Sequence, residues 1–507
     1  VAGPGVRPPR GGDGSASFGP VRLMELAGIL PGVTIAPDAQ DVEVAGVQSD
    51  SRQVRPGDLF VAIRGAKSDG LAHVEGALAR GAVAVVSDRP AKAGVSTPWI
   101  RVEAPRRALG ELSARLRGNP AEKLVLAGVT GTNGKTSTTT LLAAILERRF
   151  GKAGLLATTV YRTPRRELPA GRTTPEAPLV QELLAEMVED GVRAAAIEVS
   201  SHALALDRVA GCHFDVAVFT NLTRDHLDFH GDMKSYYSAK KRLFEMRKSG
   251  GAGVVNVDDA YGRRLLKEAA PPMWGFSSSG AGADVRAESV RCDLSGTSFD
   301  LVHSGGGVRI ASPLLGRFQA SNLLGAAAAG LALKIAPDAI AAGIGTVGDV
   351  PGRLERVEAG QPYTILVDYA HTPDALERLL LAVRELTDRK IILVFGAGGD
   401  RDTGKRAPMG EIAGRLADIP IATSDNPRSE SPEAILKAVE AGLVASGTTK
   451  YLKIADRREA IRQAIELANP GTVVVIAGKG HETTQVIGDQ EIPFDDRRVA
   501  AEFAGRT

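Results

Sequence analysis

Cysteine is scarce in this chain: among 507 residues there are only Cys212 and Cys292, far apart and without metal-ligand spacing. Two such residues exclude a disulfide framework and fit a reducing compartment. Long apolar runs are also missing, since none approaches the ~18 residues that a membrane helix needs. An excess of charge of one sign is missing too. The 62 Lys and Arg residues against 60 Asp and Glu leave a formal charge of +2, so overall charge lends no support to a nucleic-acid or anionic-membrane partner. Val1 to Pro20 holds Gly, Pro and Arg but no hydrophobic stretch. That excludes a secretory signal and predicts a disordered tail over residues 1–20. The absences together predict a soluble, cytoplasmic protein with no membrane insertion.

Glycine, by contrast, is abundant, at 58 residues, above the usual ~7%. Spread through strand and helix patterns, it suits an α/β chain with many tight turns. The length exceeds what one core usually serves. Three blocks separate, at 21–120, 121–350 and 351–507, and no internal repeat is visible. The first has strand candidates Asp58–Ile63 and Ala82–Val86, with a helical stretch from His73 to Arg80, and breaks at Gly118-Asn119-Pro120. The second begins with the strand Leu124–Val129 and alternates strand and helix; Ala194–Glu198 and Val216–Thr220 read as buried parallel strands. Residues 280–304 read as a β excursion. The third block, with strands Tyr363–Asp368, Lys390–Phe395 and Thr472–Ala477, reads as a smaller doubly wound α/β unit. The expected fold is α/β with three domains: a central P-loop-type parallel sheet, flanked by a small N-terminal α/β domain and a C-terminal doubly wound one.

Gly131-Thr132-Asn133-Gly134-Lys135-Thr136 follows a strand and opens a helix. In that context backbone N–H groups and the helix N-terminus cradle phosphate, Lys135 reaches the β/γ-phosphates, and the Thr136 hydroxyl is a magnesium ligand. The strict pattern wants glycine at Val129, whereas this chain has it at Gly128 and Gly131, so the loop is a variant. A glycine-rich turn without ligand is the bland alternative. Glu198 ends a strand, where α/β nucleotide sites place a carboxylate for magnesium. Met233 to Met246 reads as an amphipathic helix whose apolar stripe includes Lys240, four residues after Tyr236 and three before Leu243. Spacing alone barely separates Lys240 from Lys241, and a snorkelling surface lysine is the bland reading.

The string Gly128-Val-Thr-Gly-Thr-Asn-Gly-Lys-Thr136 resembles the Mur ligase and folylpolyglutamate synthetase superfamily, and the resemblance extends from about Val21 to the C-terminus. It implies an ATP-dependent, amide-bond-forming ligase with Mg2+. It assigns magnesium binding to Thr136, Glu198, His226 and a carbamylated Lys240, with Lys135, Glu198, His226 and Lys240 as the catalytic set. A carbamate is anionic with oxygen donors, whereas a free ammonium would repel the metal. ATP contacts are implied for Gly131 to Thr136, Asn322, Arg353 and Asp368. Asp50-Ser51-Arg52 and Gly65 to Asp69 resemble uridine-nucleotide segments, and Ser51, Thr173, Thr174, Ser200 and Arg208 are implied to hold a UDP-N-acetylmuramoyl-L-alanyl-D-glutamate substrate.

Asp425-Asn426-Pro427-Arg428 resembles the diaminopimelate-adding branch, implying a meso-diaminopimelate site of Arg401, Asp425, Asn426, Arg428, Gly478 and Glu482. There Arg428 would pair with the distal carboxylate and Glu482 would accept from the distal ammonium. A surface salt bridge is the bland alternative for Arg428. The reaction implied is phosphorylation of the D-glutamate side-chain carboxylate to an acyl phosphate, then attack by the amino group of diaminopimelate, by a monomer in cytoplasmic peptidoglycan precursor synthesis. Domain closure is expected to bring the amino acid in. Ligases adding D-alanyl-D-alanine or folate glutamates share the ATP loop but do not explain Asp425 to Arg428. A nucleotide-binding regulator would lack amino-acid-dependent phosphate release.

Overall fold

The protein is described from a computed structural model over residues 19–35, 40–65, 68–91, 96–280 and 282–505. The expected tail lies outside the described residues up to 18, as do Ala66 and Lys67 of the segment that starts at Gly65. The chain forms two compact units. One comprises residues 1–288, 301–308 and 321–344, and the other 289–300, 309–320 and 345–507.

In the first unit a small sheet orders its strands Thr34–Ile35, Trp99–Arg101, Ala84–Ser87, Asp58–Val61 and Gly46–Gln48. The last four run parallel. Asp58–Val61 and Ala84–Ser87 are buried throughout, because helices and loops cover both faces. The expected helix from His73 begins at Val74, after a single tight turn, Gly70–His73, capped by Asp69.

The large sheet of this unit runs Glu167–Pro169, Val160–Arg162, Ala153–Leu156, Ala194–Glu198, Val125–Thr130, Phe214–Phe219, Arg247–Asn256 and Met273–Ser277. From Ala153–Leu156 to Met273–Ser277 every pairing is parallel. Val125–Thr130 is flanked on both sides, so it carries small and apolar residues. A Cβ on its Gly128 would meet the Phe214 ring at 2.8 Å, so glycine is what lets that ring pack. The expected β excursion is made by Val285–Asp293, Gly296–His303 and Gly306–Ser312.

In the second unit the sheet order is Glu355–Arg356, Thr364–Asp368, Thr472–Ala477, Lys390–Ala397, Ile419–Ser424, Leu452–Lys453, parallel beyond the first pair. The run Val473-Val-Val-Ile-Ala477 has no polar residue because alternate side chains enter two different cores. Val473, Val475 and Ala477 join the helices Pro373–Leu386 and Arg406–Leu416. Val474 and Ile476 join Arg457–Glu466 and Asp496–Ala504. Each fully buried aliphatic side chain contributes roughly 1.5–3 kcal/mol.

One charged pair sits inside this unit. Arg457 and Asp496 are both fully buried and meet at 2.6 Å. The guanidinium also donates to the carbonyls of Ser424 at 3.3 Å and Ala477 at 3.0 Å, which are the last residues of two strands. It therefore bolts two strand ends together. Removing one partner of such a pair costs about 3–5 kcal/mol, because the other charge is left buried and uncompensated. Asp496→Ala is expected to speed amide hydrogen exchange in Ile419–Ser424 and Thr472–Ala477 by two orders of magnitude or more. Unchanged exchange in both strands would disprove the bolt.

Candidate active site

The glycine-rich loop leaves the strand Val125–Thr130 and enters the helix Lys135–Phe150. Gly131 and Gly134 have φ of 153° and 81°, the left-handed region where L side chains are strained. Space excludes a side chain as well: a Cβ would stand 1.9 Å from Thr220 Oγ1 at Gly131, and 2.1 Å from Asn322 Oδ1 at Gly134. The loop is held by the end of the next strand. The Thr220 hydroxyl donates to the Asn133 carbonyl at 2.6 Å, and Asn221 Oδ1 accepts from the Asn133 N–H at 2.9 Å. The helix thus presents its N-terminal N–H groups and positive end beside a rigid backbone. Asn322 is buried beside Gly134. Lys135 Nζ donates to the Thr132 carbonyl at 2.8 Å.

Glu198 is buried at the end of its parallel strand. Its Oε1 accepts from the Thr136 hydroxyl at 3.2 Å. Its Oε2 accepts from both the N–H and the hydroxyl of Thr158 at 2.9 Å. Thr158, which no sequence pattern singled out, fixes which carboxylate oxygen faces the phosphate loop.

The helix Met233–Glu245 separates the two adjacent lysines. Lys240 is 1% exposed, with Tyr236 and Leu243 on the same buried face, whereas Lys241 reaches the surface and pairs with Glu268 at 3.0 Å. Lys240 Nζ donates to the Gly131 carbonyl at 2.6 Å and lies 4.6 Å from the Tyr236 ring centroid. Burial, and then the charge of Lys135, hold its amine well below the usual ammonium range. A neutral amine is the form that reacts with carbon dioxide.

His226 has a left-handed φ of 51° and starts the short turn Leu227–His230. Its ring meets that of His202 edge-on at 4.8 Å. Burial lowers the His226 pKa, and burial followed by His226 and His230 takes His202 down to about 4. Both rings are therefore neutral and can offer a nitrogen lone pair. Among the described residues no three His, Cys, Asp or Glu side chains form a metal cage. The residues expected to bind magnesium are instead a hydroxyl, a carboxylate, an imidazole and a lysine.

Thr173, Thr174, Ser200 and Arg208, four of the residues expected to hold the acceptor, are linked to Glu198. Thr174 Oγ1 donates to the Glu198 carbonyl at 2.7 Å and accepts from the Ser200 N–H at 3.1 Å. The hydroxyl oxygens of Thr158 and Thr173 lie 3.2 Å apart. Arg208 Nη1 donates to the Thr174 carbonyl, and its Nε lies 3.1 Å from Glu176. Ser51 sits in the turn after Gly46–Gln48, where Arg52 folds back onto Asp50 at 2.7 Å.

The remaining expected residues belong to the second unit. Asp368 accepts from the N–H groups of Leu354 and Ala370, both at 2.9 Å; burial raises its pKa despite the opposing charge of Arg353. Asp425 and Asn426 follow the strand Ile419–Ser424, and Gly478 follows Thr472–Ala477. Gly478 has φ of 121°, and a Cβ there would stand 3.3 Å from Asp425 Oδ2. Arg428 is left-handed, φ 53°, and its Nη1 donates to the Gly399 carbonyl at 2.7 Å. Asn426 Nδ2 donates to Glu482 Oε2 at 3.1 Å. Arg401 is exposed at the loop after Lys390–Ala397. Sequence reasoning missed Lys405, which donates to the His371 carbonyl at 2.9 Å and feels Asp425, Asp402, Arg401 and Arg428. It lies four residues past Arg401, and that proximity was the available signal.

Comparison with known proteins agrees along the whole chain. Residues 43–117 match the Mur ligase family catalytic domain, 129–330 the Mur ligase middle domain, and 352–480 the Mur ligase glutamate ligase domain. A UDP-N-acetylmuramoyl-L-alanyl-D-glutamate--2,6-diaminopimelate ligase of Geobacter metallireducens is 45% identical over 504 residues, spanning 95% of this chain and 98% of the relative. A ligase of the same name from Gloeobacter violaceus is 47% identical over 464 residues, spanning 91% and 94%. A solved structure of a ligase of that name superposes with a TM-score of 0.72 at 34% identity, covering 96% of this chain and 99% of its own. The phosphate loop, the buried carboxylate and lysine beside it, and this end-to-end similarity have one source: the chain belongs to the Mur ligase family.

Proposed function

We propose that this chain is the ATP-dependent ligase that adds meso-2,6-diaminopimelate to UDP-N-acetylmuramoyl-L-alanyl-D-glutamate in cytoplasmic peptidoglycan precursor synthesis. The observation that carries this reading is the end-to-end similarity to relatives of that name, at 45% identity over 504 residues. ATP phosphorylates the D-glutamate side-chain carboxylate, giving an acyl phosphate and ADP. The amino group of diaminopimelate then attacks the acyl carbon, and phosphate leaves. Such chemistry rests on positioning and on neutralising charge.

The loop Gly131 to Thr136 and the Lys135 ammonium hold the ATP phosphates, with Asn322, Arg353 and Asp368 as further ATP contacts. Ser51, Thr173, Thr174, Ser200 and Arg208 hold the UDP substrate. Arg401, Asp425, Asn426, Arg428, Gly478 and Glu482 hold diaminopimelate. The buried hydroxyl of Thr136 and carboxylate of Glu198 are hard oxygen donors that fit Mg2+. His226, with its neutral ring, and a carbamylated Lys240 would complete the set. When bound, the metal offsets charge on the transferring phosphoryl group. No helix among the described residues is long and apolar enough to cross a membrane. The proposed ligase acts as a monomer.

The assignment is tested by phosphate release from purified protein given ATP, the UDP-dipeptide and a panel of amino acids. Release that depends on diaminopimelate and not on lysine is expected; release independent of amino acid would refute the ligase. Arg428→Ala is expected to lower diaminopimelate efficiency roughly 30- to 1000-fold, mainly by raising KM. That corresponds to loss of a charge-assisted pair of about 2–4 kcal/mol. The KM for ATP should stay almost unchanged. Intact diaminopimelate kinetics in this variant would remove Arg428 from the specificity argument. Lys240→Ala should be nearly inactive and partly restored by short carboxylates that enter the vacated space. If Lys241→Ala is the dead variant and Lys240→Ala the active one, the role moves by one residue.

A further inference from the structure

Lys479 has no part in the reading above, yet its environment is unusual. It follows the strand Thr472–Ala477 by two residues, and its side chain is completely buried. Burying an ammonium costs several kcal/mol unless the charge is compensated, so such a residue needs a function or a partner of opposite charge. The partner is Glu482: Lys479 Nζ lies 3.0 Å from Oε2 and also donates to Asn426 Oδ1 at 3.2 Å. The Asn426 amide is fixed in turn, since its Oδ1 accepts from the Val486 N–H at 3.0 Å and its Nδ2 donates to the same Glu482 Oε2 at 3.1 Å. Both donors take one oxygen, so neither holds Oε1. The Glu482 side chain is 32% exposed while Lys479 is sealed beneath it. The carboxylate is thus gripped from below and presented outward.

We infer that Lys479 is the positioning residue of the amino-acid site: from beneath, it fixes the Glu482 carboxylate so that the second oxygen meets the distal ammonium of diaminopimelate. This rests on the reading of the cleft as the amino-acid site. Lys479 touches no substrate and acts through Glu482. Burial opposes ionisation of Glu482, but the charge and hydrogen bond of Lys479 and the Asn426 amide outweigh it, so the carboxyl lies below its ordinary range. The other charged or titratable groups facing this carboxylate are His481, which favours its ionisation, Tyr369, whose hydroxyl also hydrogen-bonds Glu482, and Arg457; Asp425 faces Tyr369 and Arg457 as well.

The sign of the pH effect follows. A depressed pKa keeps Glu482 ionised above it, and binding of the ammonium is lost only as pH falls through it. Without Lys479 the burial of Glu482 is uncompensated, its pKa rises, and the loss moves to higher pH.

The test is steady-state kinetics of the full-length enzyme with meso-diaminopimelate over the acid limb. Lys479→Met is expected to raise KM for diaminopimelate about 10- to 100-fold near neutrality, with KM for ATP changed less than about twofold. Its acid limb should move upward by about one pH unit or more. Glu482→Gln should raise the same KM, and Lys479→Met added to Glu482→Gln should add nothing. A Lys479→Met enzyme with lowered kcat, unchanged KM and an unmoved acid limb would overturn the inference. So would a double variant at least tenfold worse than Glu482→Gln. If Lys479→Met does not fold, the double variant, with no charge left buried, still gives the second comparison. If Glu482→Gln itself leaves diaminopimelate kinetics intact, the amino-acid reading of this cleft falls, and the inference with it. A defective Glu482→Gln beside an unaffected Lys479→Met overturns the inference alone.

Discussion

Parallel strand pairing is the constraint from which the chemistry of this chain follows. When neighbouring strands run the same way, all their carbonyl ends, and the loops that leave them, come to one edge. In the first unit that edge collects the phosphate loop after Val125–Thr130, Glu198, and Thr220-Asn221 after Phe214–Phe219. In the second it collects Asp368, the Gly396–Asp402 loop, Asp425-Asn426 and Gly478. Residues scattered over more than a hundred positions become neighbours without any long-range motif.

Beneath these edges the protein spends buried charge. Lys240, Lys479 and Arg457 are among its largest fully buried side chains. Each handles the cost of burial differently. Arg457 keeps its charge against Asp496 and two carbonyls. Lys479 shares its proton donors between a carboxylate and an amide. Lys240 donates to the Gly131 carbonyl and lies over an aromatic face; its burial, and then the charge of Lys135, outweigh the carboxylates of Asp225 and Glu198 and drive it toward neutrality. The same residue class is therefore held once by a buried carboxylate, once by a half-exposed one, and once with its charge disfavoured.

Much of this was legible in the sequence, for identifiable reasons. The loop Gly131 to Thr136 announces itself because strand, glycine, Lys-Thr and helix are local. Lys240 could be placed on the apolar stripe by its spacing from Tyr236 and Leu243, but its separation from Lys241 needed the helix to be packed: only then does one lysine enter the core and the other meet Glu268. Thr158 left no local signal, because its relation to Glu198 arises from the strand order that sets Ala153–Leu156 beside Ala194–Glu198. Arg457 was hidden for the same reason: a basic residue at the start of an amphipathic helix looks solvated until Asp496 arrives from another helix.

That arrival has a consequence for how the chain is made. Asp496 follows Arg457 by 39 positions, and Asp425 precedes both. On the ribosome the loop carrying Asp425 and Asn426 emerges first, then the guanidinium meant to hold its strand, and only later the carboxylate that makes this guanidinium tolerable in the interior. Throughout that interval the nascent segment holds an arginine that stays in water. The two strand ends are therefore joined only once Asp496 has been made, and a chain stopped between Ala477 and Asp496 would hold Ile419–Ser424 and Thr472–Ala477 with Arg457 still lacking its carboxylate.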